Sequence, residues 1–182
     1  MTFEKTGIED LILIKPKILG DDRGYFFESF RSDVFKRNGI PSNFLQENQS
    51  NSKYGVVRGL HYQKGNSAQG KLVRSVVGTV LDVAVDIRPG SATYGHHYSV
   101  KLDDIHHWQL WVPRGFAHGF AVLSEEAVIQ YKCDNFYDKD SEAGIAWNDS
   151  TLGIDWGVPE KDVILSEKDL LHPEFHQHNP VF

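Results

Sequence analysis

Short strand-like segments recur along this chain at intervals of about ten residues, and this repetition restricts the fold more than any other feature. The clearest segment is 79–87, where Leu81 and Val83 begin a series of apolar residues at every second position. Asp82 and Asp86 lie between the apolar residues, on the opposite face. Such alternation predicts a strand with one buried face and one exposed face.

Similar segments, rich in β-branched or aromatic residues and separated by glycine or polar turns, predict the remaining strands. They cover residues 11–14, 25–30, 57–63, 71–77, 97–102, 108–112, 119–123, 127–133 and 144–147. Short helices are predicted for residues 32–36, 159–162 and 166–169. These elements together predict one all-β domain over residues 1–182, closed as a jelly roll of about ten antiparallel strands with a few short helices.

Charge and composition narrow the classes of partner. The net charge of −6 argues against nucleic-acid binding, which needs a basic face, but permits a small anionic ligand. No apolar run approaches the ~20 residues of a membrane helix, and residues 1–10 do not resemble a signal peptide. Cys133 is the single cysteine, so an internal disulfide is excluded. We therefore expect a cytoplasmic protein without membrane contact.

Three predicted strands carry polar or titratable side chains where an apolar face is expected. His61 and Gln63 share a face with Gly59, and that face is either an exposed barrel rim or the wall of a site. Lys71 points either to solvent or into a cavity, where it would need an anionic partner. Tyr131 is either a core tyrosine or a hydroxyl that is directed at a ligand.

Two further segments contain candidate groups. Residues 113–119 form a turn that leads into a strand containing His118, with the Pro-x-Gly-x-x-His spacing of a second cupin motif. Asp169 lies at a predicted helix start, where a carboxylate either complements the helix dipole or orients a histidine. The residues alone leave both alternatives open.

Four strings, in this order and at these separations, resemble the dTDP-4-dehydrorhamnose 3,5-epimerases of the cupin superfamily. The resemblance extends over nearly the whole chain, and it depends on the order of the strings more than on any one of them. The strings are Asp22-Arg23-Gly24-Tyr25-Phe26-Phe27-Glu28, Arg58-Gly59-Leu60-His61-Tyr62-Gln63, Pro113-Arg114-Gly115-Phe116-Ala117-His118-Gly119 and Leu165-Ser166-Glu167-Lys168-Asp169.

The resemblance implies a cupin-type jelly-roll homodimer that uses no metal and no cofactor. By position, His61 matches the catalytic base and Asp169 the carboxylate paired with it. Tyr131 matches the proton donor on the opposite face of the sugar, and Lys71 the cation beside the C4 oxygen.

The resemblance also implies a set of substrate-binding positions, some of them supplied by a second copy of the chain. Arg23 and Glu28 are expected to reach the site of the partner subunit. Glu47 stands where aspartate is expected, and it leaves its neighbours unchanged. The matching positions are Arg23, Glu28, Gln46, Asn48, Arg58, Lys71, His118, Glu142 and Lys168.

The implied reaction converts dTDP-4-dehydro-6-deoxy-D-glucose into dTDP-4-dehydro-L-rhamnose. The C4 ketone acidifies the hydrogens at C3 and C5, so one site that stabilises an enolate serves both carbons. A histidine, with an ordinary pKa of about 6.5, suits the base, and a carboxylate fixes its tautomer. A nearby cation is expected to ease the loss of the Tyr131 proton.

Three alternatives remain beside this interpretation. A metal-binding cupin needs more ligands than His61 and His118, because Gln63 stands where the first motif has a second histidine. His172, His176 and His178 could bind a metal adventitiously. A relative that epimerises only C3, or a ketoisomerase, would use nearly the same residues. A non-catalytic sugar-nucleotide binding cupin would not need the base, cation and acid together.

Overall fold

The computed structural model describes residues 1–179, so the last three residues of the predicted domain 1–182 lie outside the described residues. Its strands, numbered in chain order, are β1 Thr2–Lys5, β2 Ile12–Lys15, β3 Leu19–Asp21, β4 Gly24–Phe26, β5 Gln46–Lys53, β6 Val57–Gln63, β7 Lys71–Val77, β8 Thr79–Asp86, β9 His97–Asp103, β10 Gln109–Val112, β11 Phe116–Val122, β12 Glu126–Cys133 and β13 Glu142–Gly144.

Helical structure in the described residues is short. The single α-helix, α1, covers Ser32–Arg37, and 3₁₀ turns cover Gly65–Ser67, Lys139–Ser141, Glu160–Asp162, Asp169–Leu171 and Phe175–Gln177. Ser166 Oγ accepts a hydrogen bond from the Asp169 N–H over 3.2 Å at the start of the Asp169–Leu171 turn, so the helical residues begin at Asp169 and not at the predicted Ser166. None of these helices is long and apolar enough to cross a membrane.

Two antiparallel sheets lie face to face and form the predicted jelly roll, so the all-β fold class is confirmed. The six-stranded sheet has the order β1-β2-β10-β7-β12-β5, and the five-stranded sheet has the order β13-β6-β11-β8-β9. Strands β3 and β4 form a separate two-stranded hairpin. The crossing connections between the sheets close a barrel-like sandwich, which positions strand ends from both sheets around one opening.

Three apolar clusters stabilise this sandwich. The central cluster lies between the sheets and includes Val73, Leu110 and Phe120. A second cluster packs the C-terminal segment against the outer face of the five-stranded sheet, and it includes Leu60 and Tyr62. A third cluster lies under α1 on the six-stranded sheet. Because β6 and β8 are covered on both faces, a polar side chain on their inner faces needs a partner or a cavity.

Several predicted boundaries need correction. Residues 25–30 do not form one long strand, because β4 ends at Phe26. Residues 144–147 leave the sheet after Gly144, although Ile145 still exchanges two backbone hydrogen bonds with Leu60. The predicted exposed face of β8 is wrong, since Asp82 and Asp86 are both fully buried.

Candidate active site

A small cavity of about 90 Å³ opens where the ends of β5, β6, β7 and β12 converge. Its wall contains three groups that could move or stabilise a proton or a negative charge, namely an imidazole, an ammonium and a phenol. The lining residues are Asn48, His61, Tyr62, Gln63, Gln69, Lys71, Tyr131, Tyr137 and Glu142.

His61 reaches this cavity because β6 presents it on the face opposite its neighbours Leu60 and Tyr62, which are buried in the second cluster. Gly59 allows β6 and β11 to approach closely, since a Cβ there would lie 2.6 Å from Gly119 Cα. His61 Nε2 lies 2.5 Å from Asp169 Oδ1, and the His61 side chain keeps 29% of its exposure while Asp169 keeps 4%.

Asp169 is held as a carboxylate. Burial acts to raise its pKa, but the hydrogen bond and charge of His61, together with the Ser166 hydroxyl, outweigh burial and lower it. An ionised Asp169 accepts the His61 Nε2–H, so the lone pair of the His61 ring lies on Nδ1. This arrangement leaves one His61 nitrogen free to accept a proton.

Lys71 points into the cavity, which decides between the two orientations that the sequence left open. It lies opposite Cys133 in the β7–β12 ladder, and its Nζ lies 6.0 Å from the centre of the Tyr131 ring. Burial lowers the pKa of Lys71, while the negative charges of Asp82 and Glu142 oppose this shift. An anion in the cavity would add to that opposition and favour the ammonium.

Tyr131 lies on the inner face of β12 and packs against the central cluster. Asn48 lies directly opposite in the β5–β12 ladder and is close enough to act on the pKa of Tyr131. Burial is the largest effect and raises the pKa of Tyr131 above the ordinary value, while the positive charge of Arg58 acts in the expected opposite direction without outweighing it. The phenol is therefore protonated at neutral pH.

Polar contacts link the other cavity residues into one network. Gln46 donates to Asn48 Oδ1 over 3.1 Å and accepts from the Tyr137 N–H over 2.9 Å. Glu142 accepts the Tyr137 hydroxyl over 2.7 Å and also contacts Lys168 Nζ. The predicted positions 46, 48, 142 and 168 are thus at or directly beside the cavity.

The other four predicted substrate-binding side chains do not line this cavity. Arg58 is exposed near its rim and donates to Ser52 Oγ over 3.1 Å. His118 is buried beneath it, with Nε2 3.0 Å from both carboxylate oxygens of Asp82. Arg23 and Glu28 are exposed at and after the β3–β4 hairpin, and Arg23 forms an ion pair with Asp21.

Sequence reasoning missed several members of the site. Gln69 and Tyr137 lie in loops, where no periodicity indicates direction, and Tyr62 belongs to the core face of β6. Asp82 was detectable, because it stands at an alternating position of β8, but the face that carries it was interpreted as exposed. His172 was considered, with His176 and His178, only as an adventitious metal ligand. Instead, its ring lies edge-on to His61, with centroids 5.3 Å apart.

The geometry supports one type of chemistry. A free imidazole nitrogen, a protonated phenol and an ammonium line the same small cavity, next to acidic and amide groups that could hold hydroxyl groups. Such a set suits proton abstraction beside a carbonyl, with the ammonium at the oxygen where negative charge develops.

Comparison with known proteins gives a consistent result. The family model for dTDP-4-dehydrorhamnose 3,5-epimerase matches residues 5–177. The Shigella flexneri protein of that name is 50% identical over 176 residues, which cover 96% of each chain.

Two solved structures show the same similarity in three dimensions. The dTDP-4-dehydrorhamnose 3,5-epimerase of Elizabethkingia anophelis NUHP1 has a TM-score of 0.94 and 50% identity, with 98% of each chain covered. A 3,5-epimerase of Legionella pneumophila, solved with dTDP-4-keto-L-rhamnose, has a TM-score of 0.94 and 44% identity, with coverage of 100% of this chain and 98% of that one.

Proposed function

This chain belongs to the dTDP-4-dehydrorhamnose 3,5-epimerase family, and we propose that its cavity inverts C3 and C5 of dTDP-4-dehydro-6-deoxy-D-glucose to give dTDP-4-dehydro-L-rhamnose. It is therefore an isomerase. The observation that carries the proposed mechanism is the convergence of His61, Lys71 and Tyr131 on one cavity.

The substrate explains why one cavity can serve two carbons. Its C4 ketone acidifies the hydrogens on both neighbouring carbons, and removal of either hydrogen gives an enolate on the same oxygen. Each inversion then consists of proton removal from one face of the ring and proton delivery to the other. Every step is a proton transfer between the sugar and side chains of this protein, so the proposed reaction needs no metal or cofactor.

His61 is the base in this mechanism. Asp169 accepts the Nε2–H over 2.5 Å, which leaves Nδ1 to take the proton from C3 or C5. The Asp169 carboxylate also stabilises the imidazolium that forms. Because Asp169 is almost fully buried and Ser166 holds its backbone N–H, the pair keeps a fixed orientation.

Lys71 stabilises the enolate oxygen. Preorganised positive charge at the site of developing negative charge contributes typically about 3 kcal/mol to a transition state. The carboxylates of Asp82 and Glu142 favour the charged form of Lys71 against the effect of burial. The developing enolate adds a further negative charge in the cavity, which favours the ammonium form of Lys71 as the reaction proceeds.

Tyr131 delivers the proton on the face opposite His61. Burial keeps the phenol protonated, and the Asn48 contact orients it. After inversion His61 holds a proton and Tyr131 lacks one, so both must re-equilibrate before the second carbon reacts. A cavity that opens to solvent allows this exchange with water.

The remaining predicted positions bind the substrate or support the groups that do. Arg58, exposed at the rim, suits the diphosphate, because guanidinium binds phosphate oxygens in bidentate fashion. Glu142 and Lys168 lie at one side of the cavity and suit the sugar hydroxyls, while Gln46 holds Asn48 and the Tyr137 backbone in place. His118 is buried beneath the cavity with Asp82 and supports the binding wall without lining it.

Arg23 and Glu28 complete the site of a second copy in a homodimer. Both are exposed and neither lines the cavity of its own chain, and the same hairpin exposes Tyr25 and Phe26 by 61% and 69%. An exposed aromatic hairpin that carries a cation fits a partner surface that binds an anionic ligand.

Subunit complementation tests this sharing. Arg23→Ala and His61→Asn, each inactive alone, should regain activity when mixed subunits assemble, because one of the two sites in each mixed dimer has all its residues. Random assembly would restore about a quarter of all sites. If mixing restores nothing while both proteins are dimeric by light scattering, Arg23 does not act in the partner's site.

The reaction itself is tested by NMR of the 4-keto-6-deoxyglucose nucleotide with enzyme in heavy water. We expect deuterium at C3 and C5, with inverted configuration at both carbons. Deuterium and inversion at C3 alone would indicate a 3-epimerase, and a shifted keto group a ketoisomerase. Binding without any exchange would indicate a sugar-nucleotide binding protein.

A further inference from the structure

His172 has no role in the proposed mechanism, yet it lies against the catalytic pair. Its side chain is 9% exposed, and its Nδ1 lies 3.9 Å from Asp169 Oδ1. Within residues 1–179, it is this nitrogen that is buried without any hydrogen-bond partner. Burial of a polar atom without a partner costs free energy, so this nitrogen calls for an explanation.

The fold makes specific room for the His172 ring. Gly144 lies opposite His61 in the β6–β13 ladder, and a Cβ on Gly144 would come within 2.5 Å of three atoms of the His172 ring. The following residue is fixed as well, since Pro173 O accepts the Ala146 N–H over 2.8 Å. A glycine therefore allows a second imidazole to pack beside His61.

These positions create a group of three potential metal ligands. One ligand atom each from His61, Asp169 and His172 lies within 4.8 Å of the other two. Bonds of about 2 Å with tetrahedral angles separate ligand atoms by about 3.3 Å, so shifts of under about an ångström would bring the three around one ion. Two imidazoles and one carboxylate form a ligand set that suits Zn²⁺ and its neighbours.

We propose that His61, Asp169 and His172 form a binding site for a borderline divalent cation such as Zn²⁺ or Co²⁺, and that the bound cation inhibits the enzyme. The inhibitory part rests on the proposed role of His61 as the base. The site is thus one of control, not of a cofactor, because its occupancy removes a group that the reaction needs.

The inhibition follows from the tautomer of His61. In the active pair Nε2 carries the proton and Nδ1 the lone pair. A cation takes Nε2 as its ligand atom and displaces that proton, and the neutral ring then carries its one proton on Nδ1. No proton is gained or lost overall, but the nitrogen that accepted a proton from the sugar has become an N–H donor.

The surrounding charges permit a cation. Asp169 supplies a negative charge directly, and Glu142 lies close enough to influence the pKa of His172. Lys168 is the lysine that acts on His172, and its Nζ contacts the Glu142 carboxylate, which offsets much of its field. Lys71 lies on the cavity side of His61, away from the Asp169 contact, and Asp82 and Glu142 oppose its charge. The exposed His176, which pairs with Glu174, lies four residues further along the chain and provides a matched surface control.

The test uses purified, chelator-treated full-length protein as wild type, His172→Asn and His176→Asn. Co²⁺ titration with the visible absorption of four-coordinate cobalt measures binding, and Zn²⁺ titration measures inhibition relative to each protein's own metal-free rate. We expect the wild type and His176→Asn to bind one Co²⁺ per chain and to lose activity with Zn²⁺. His172→Asn should bind Co²⁺ and respond to Zn²⁺ more than about tenfold more weakly.

The outcomes separate the site from the mechanism. Equal binding by the wild type and His172→Asn, or no binding by the wild type, overturns the site even if His61 proves to be the base. Binding that depends on His172 but leaves activity intact supports the site, and it overturns both the inhibition and the role of His61. Should His172→Asn prove unfolded by circular dichroism, Gly144→Ala, which displaces the same ring, serves in its place.

Discussion

The His61–Asp169 and His118–Asp82 pairs use the same contact, between histidine Nε2 and a carboxylate, and their histidines lie on adjacent strands of the five-stranded sheet. His61 and His118 are even direct neighbours in the β6–β11 ladder. They differ in surroundings, since the His61 side chain is 29% exposed at the cavity and that of His118 is 7% exposed.

This difference shows that a histidine–aspartate pair becomes a base only where its second nitrogen can reach a substrate and water. His61 has such access, and its carboxylate comes from a C-terminal turn that is independent of the sheet. His118 receives its carboxylate from the adjacent strand β8, and both groups belong to the barrel interior. We therefore expect substitutions in the first pair to affect rate and those in the second pair to affect chiefly stability.

The largest expected effect is that of His61→Asn. Removal of the base should lower turnover by at least about 10⁴-fold and abolish solvent exchange at both C3 and C5. The melting temperature should stay near that of the wild type, because His61 is partly exposed. Exchange that persists in this variant, measured by NMR in heavy water, would show that another group is the base.

Asp169→Asn should cost up to roughly 10⁴-fold in turnover, because the imidazole stays in place but loses the partner that fixes its tautomer. The pH–rate profile checks this interpretation. In the variant, the pH at which the rate falls on the acidic side should shift. A variant that has lost only packing would keep the wild-type profile at a lower rate.

His118→Asn is the corresponding substitution in the His118–Asp82 pair. It leaves the fully buried Asp82 carboxylate without its histidine, which should lower the free energy of unfolding by about 3 kcal/mol. Exchange at saturating substrate should persist, with any kinetic effect chiefly on KM. Chemical denaturation measures the first quantity, and a complete loss of exchange in folded protein would mean that the two pairs do not differ as described.

The smallest effect concerns Asp86, a buried aspartate of β8 far from the cavity chemistry. Burial acts to raise its pKa, but hydrogen bonds from Arg88, Ser91 and Thr93 outweigh this and lower the pKa to about 2. Because the folded pKa lies below the unfolded value, Asp86 stabilises the fold above about pH 4, and this contribution of about 2 kcal/mol is lost as the pH falls toward 2.

Urea unfolding at several pH values tests the Asp86 contribution. Asp86→Asn should be less stable at neutral pH and should show a shallower fall in stability between about pH 4 and pH 2 than the wild type. Parallel curves for both proteins would assign the acid sensitivity to other carboxylates. Turnover at neutral pH should be unaffected, in contrast to substitutions in the His61–Asp169 pair.

The sequence predicted the fold well where apolar periodicity was strong. The bounds of β7 agree with the prediction, and those of β8 differ by a single residue. The segment Gln46–Lys53 was missed, because it is polar at almost every position and forms an edge strand of the six-stranded sheet. Edge pairing depends on a neighbouring backbone, which a single-segment pattern does not contain.

The candidate site was predicted only in part. His61, Lys71 and Tyr131 stand out as polar groups on apolar strand faces, but only the resemblance related them to one another. Asp82 was placed on the wrong side, since alternation specifies two faces without saying that both are covered. His172 could not be found, because its position depends on the space that Gly144 leaves across the β6–β13 ladder.

The isotope behaviour of Tyr131→Phe shows whether base and acid act from opposite faces of the sugar, on which the proposed mechanism depends. The variant keeps His61 and Lys71, so it should still exchange some C5 hydrogen for deuterium in heavy water while forming almost no inverted product. Equal loss of exchange and inversion, in protein that is folded and binds the nucleotide sugar, would contradict the assignment of Tyr131 as the proton donor.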